Sequence, residues 1–94
     1  MVSVKQKMVA LAIMRARTLT AAEAADDVRD VASRLALGAG IETEDARSLS
    51  IIADMLADGN VLAARDYADT LDTGCREQIP MAVWVHMGGE LIHA

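Results

Sequence analysis

A disulfide within the chain is excluded, because Cys75 is its only cysteine. That removes the stapled folds by which small secreted domains make up for a small core. A lone cysteine reads instead as a small buried hydrophobe. Phenylalanine is absent and Tyr67 and Trp84 are the sole aromatics, which argues against a β-sandwich, a fold that draws on aromatics and frequent turn signals. No apolar run approaches the roughly 20 residues that a membrane span requires. Lys5 and Lys7 before Met8–Met14 imitate the opening of a secretion signal. That run has only seven residues, and Arg15 and Arg17 follow where a neutral cleavage region belongs. The expectation is a cytoplasmic protein without membrane contact.

What is present favours helices. Apolar residues make up 53% of the 94 positions, too many for a disordered chain, and 18 of them are alanine. The length suits one domain over 1–94, burying roughly 60–65% of the surface its unfolded form exposes. Ser3 with Gln6, and Thr20 with Glu23, are capping boxes that open helices over about 4–17 and from 21 to Gly38. Thr43 caps a third helix carrying Ala46, Leu49, Ile52, Ala53 and Leu56, with Glu44 and Asp45 in the dipole-favoured first turn. After the break at Asp58-Gly59-Asn60, with Asn60 as cap, a fourth helix places Ala64, Tyr67, Ala68 and Leu71 on one face. Short loops make consecutive helices antiparallel. The expected fold is all-α, a small bundle of four antiparallel helices followed by a short fifth helix or a hairpin. Both endings remain open: Pro80 can begin a helix, while Met81–Val85 has strand propensity and Gly88-Gly89 suits a two-residue turn.

Catalytic patterns are missing. A nucleophile needs a base and an oxyanion site, and the chain offers only Cys75 with His86 and His93, without a nucleophile elbow or glycine-rich phosphate loop. Glu90 and His93 have the spacing of two metal ligands on one helix face, yet a carboxylate-bridged bundle needs that pattern twice and it occurs once. The spacings of Cys75, His86, Glu90 and His93 match no standard zinc site. No cofactor, metal or catalytic residue is therefore assigned, and the chain is read as a non-enzyme. A helix-loop-helix spans Val31–Leu56, but Glu42, Glu44 and Asp45 open its second helix and would repel phosphates. Direct nucleic-acid binding is not expected.

Two surfaces remain. Residues 1–17 carry Lys5, Lys7, Arg15 and Arg17 without an acid, a charge of +4; residues 18–94 set five arginines against fourteen acids, −9, which together give −5. Asp54 and Asp58 are spaced for one helix face, as are Asp66, Asp69 and Asp72, with only Arg47 and Arg65 nearby to offset them. Such an acidic face either keeps the domain soluble or docks a basic protein. The first helix is apolar nearly all round, and Ile51 and Met55 lie outside the inner stripe of the third. With the C-terminal Trp84, Met87 and Leu91, that is more apolar surface than a small monomer hides. Val9, Ile13, Ile51, Met55, Trp84, Met87 and Leu91 are the expected apolar contacts of a homodimer, an adaptor or regulatory subunit. The alternative is a small acidic inhibitor, of a size that suits a phage or plasmid product, occupying the basic nucleic-acid-binding surface of a target through its aspartates.

Overall fold

The computed structural model describes residues 3–39 and 43–89, with Ala39 described through its backbone only. These residues form six helices and no strand: α1 (Val4–Thr18), α2 (Ala21–Ala39), α3 (Glu44–Ala57), α4 (Val61–Asp69), α5 (Thr73–Arg76) and α6 (Met81–His86). The all-helical class is as expected; the division of the chain after residue 60 is finer than four helices and a tail.

The caps explain where the helices begin. The Ser3 hydroxyl accepts from the Gln6 amide at 3.1 Å while the Gln6 side chain accepts from the Ser3 amide at 3.0 Å. Thr20 and Glu23 repeat this exchange at 3.1 Å in both directions. The Thr20 amide hydrogen bond lowers the Glu23 carboxyl below its ordinary range, since a donor favours the charged form. The Thr43 hydroxyl accepts from the Ala46 amide at 3.0 Å. Asn60 stands at the start of α4, but its side chain makes no capping bond, so the break there comes from the residue before it.

That residue is Gly59, at φ +80°. The Gly59 amide donates to the Leu56 carbonyl at 3.0 Å and the Asn60 amide to the Met55 carbonyl at 2.9 Å. This paired arrangement ends a helix in the left-handed region, where only glycine sits without strain. The same motif resolves the ambiguous C-terminal stretch. Gly88 lies at φ +85°, its amide donating to the Val85 carbonyl at 2.9 Å and that of Gly89 to the Trp84 carbonyl at 2.8 Å. Gly88-Gly89 is thus a helix terminator, not a hairpin turn, and Met81–Val85 is helical. The Gly89 backbone lies against the Trp84 indole so closely that a Cβ there would overlap the ring.

The core is built mainly where α2 meets α3. Ala24, Ala25, Val28 and Ala32 of α2 join Ala46, Leu49, Ile52, Ala53 and Leu56 of α3, with Ala64 and Ala68 of α4. Ala82, Val83 and Met87 bring the α6 segment into the same cluster. The principal contact of α1 is with α6, and its buried residues, Val9 and Ala12, lie outside the main cluster. A salt bridge from Arg15 to Asp27, 2.8 Å, ties α1 to α2. Exposed pairs of this kind contribute about 0–1 kcal/mol, so the contact with α6 holds α1 more than this bridge does.

Candidate interaction surface

Spacing along α1 decides which side faces water. Val9, Ala12 and the half-buried Ala16 form the inner stripe. The opposite side carries Val4, Lys7, Met8, Leu11, Met14 and Arg15, positions that recur at three and four residues and therefore share one face. Val4 is 75% exposed, Met8 52%, Leu11 64% and Met14 62%. Between α1 and the start of α6 this face opens into a shallow groove of about 380 Å³ lined by Met8, Leu11, Ala12, Arg15 and Met81. Two methionines make it an adaptable apolar surface, edged by the Arg15 guanidinium that Asp27 engages.

The expected apolar contacts divide. Val9 and Met87 are buried within the chain's own fold, so neither is free to form an interface; Val9 lies on the inner stripe of α1 and Met87 is the C-cap of α6. Met55 and Trp84 are half-buried against the core cluster, and the Arg65 guanidinium stacks 4.7 Å from the Trp84 ring centroid. Ile13 and Ile51 are exposed. Leu91 lies outside the described residues. The surplus apolar surface is real, but it sits on the side of α1 opposite Val9.

The aspartates divide as well. Asp54 is paired with Arg29 of α2 at 3.0 Å, a partner from a neighbouring helix that sequence spacing does not show. Asp69 is paired with Arg65 at 3.4 Å. Asp72 does not continue the row of Asp66 and Asp69, because α4 ends at Asp69; its carboxylate caps α5, accepting from the Cys75 amide at 2.9 Å. Among the described residues, Asp58 and Asp66 stand in no ion pair. Asp66 lies one helical turn from Leu62 on α4, a side chain that is 79% exposed, whereas Asp58, the C-cap of α3, is two turns beyond the exposed Ile51.

The remaining features offer little chemistry. A groove of about 320 Å³ between α2 and α3 is lined by Arg29, Ala32, Ser33, Ala36, Ala46 and Ser50. Arg29 is engaged by Asp54, and the Ser50 hydroxyl donates to the Ala46 carbonyl at 3.0 Å. No three His, Cys, Asp or Glu side chains come together as a metal site among the described residues; Glu90 and His93 lie outside them. Likewise, no helix among them is long and apolar enough to cross a membrane.

Cys75 is buried, its Sγ 4.0 Å from the Asp45 carbonyl. Burial first, and the negative charge of Asp45 second, push the thiol up to about 11 from 9.0. Two units leave about a hundredfold less thiolate at pH 8 than an ordinary thiol holds. Alkylation of the folded protein by iodoacetamide at pH 8 should therefore run at least a hundredfold slower than in 8 M urea; equal rates would contradict the burial. The unfolded chain loses this proton first, so the Cys75 contribution to stability should fall as pH rises between 9 and 11. Comparing thermal melts of the wild type and Cys75→Ala across that window isolates it.

No family model matches this chain, and neither does any curated protein or solved structure.

Proposed function

We propose that this chain is a non-enzymatic interaction module, an adaptor or regulatory subunit that acts as a homodimer in the cytoplasm. Its scaffold is four antiparallel helices closed by the short C-terminal helix, and its docking surface is the outward face of α1. One observation carries this reading: Val4, Met8, Leu11 and Met14 form a continuous exposed row on a helix that buries only Val9 and Ala12 inward. Solvated surface helices place their apolar residues inward; this one displays most of them. A second reading, the acidic inhibitor of a basic nucleic-acid-binding surface, draws on Leu62 standing exposed beside the unpaired Asp66.

Light scattering after size exclusion, at low and at high salt, separates the two. The dimer reading expects a mass of twice 10.0 kDa in both salts, because an apolar contact does not weaken with ionic strength as charge-driven docking does. A mass of 10.0 kDa in both salts, at protein concentrations up to about 1 mM, overturns it and leaves the acidic face as the better lead.

A further inference from the structure

No further inference is drawn: the strongest candidate, the outward face of α1 that carries Val4, Met8, Leu11 and Met14 beside the groove toward Met81, belongs to the surface already described, and nothing in the structure shows what covers it.

Discussion

Replacing Leu49 by alanine should remove about 3–4 kcal/mol of stability, a large share of what a chain of this length holds. Leu49 is fully buried in α3 at the centre of the core cluster, alongside Ile52 and Leu56. Truncation loses the transfer free energy of three carbons and leaves a cavity that rigid helices fill only in part, which places Leu→Ala costs at about 2–5 kcal/mol. A domain of this size has roughly 5–14 kcal/mol in total. At about 4–8 °C per kcal/mol, the melting temperature should fall by about 12–30 °C. Leu62→Ala is the control, because Leu62 is 79% exposed and its loss should stay within about 0.5 kcal/mol. Urea titrations of both variants decide the matter: a Leu49→Ala loss below about 1 kcal/mol would mean that the α2–α3 contact is not the centre of the fold.

That contact was legible in the sequence because two local signals agree there. Alanines and branched residues recur at three and four along α2 and α3, and a capping residue precedes each helix; periodicity and caps are local properties that tertiary packing has no reason to override. Legibility falls off where the deciding interaction is not local. Asp54 looked unpaired because Arg29, 25 positions away, is its partner. Asp72 looked like a member of an acidic row because spacing does not reveal that α4 stops at Asp69 and that the carboxylate is used as a cap. Val9 and Leu11 are both apolar residues of one apolar helix, and which of them turns inward depends on where α6 lies. Excess apolar surface could be inferred from composition; its side could not. The pair Gly88-Gly89 was ambiguous for a different reason: a positive φ serves a hairpin turn and a helix terminator equally, and only the carbonyls of Trp84 and Val85, held by the preceding helix, decide between them.

The alanine-rich core implies a second large effect, opposite in kind to a cavity. Ala53→Leu should destabilise by about 2–3 kcal/mol, although leucine is nearly as good a helix former as alanine. Ala53 has no exposed surface, Ala24, Ala64 and Ala68 of the same cluster are equally enclosed, and Ala25 and Ala46 are nearly so. Methyl groups at so many contact positions let helices approach closely, and a close approach leaves no volume for three further carbons. The added side chain must leave its preferred rotamer or push α2 away from α3; either route costs more than the added apolar burial returns. Ala63→Leu, on the exposed side of α4, adds the same atoms where nothing opposes them and should leave stability within about 0.5 kcal/mol. Thermal melts followed by circular dichroism compare the two directly. A fall of about 8–24 °C for Ala53→Leu with none for Ala63→Leu attributes the loss to packing and not to helix propensity. An unchanged melting temperature for Ala53→Leu would mean that α2 and α3 have room to separate, and that the alanines serve helix formation more than close contact.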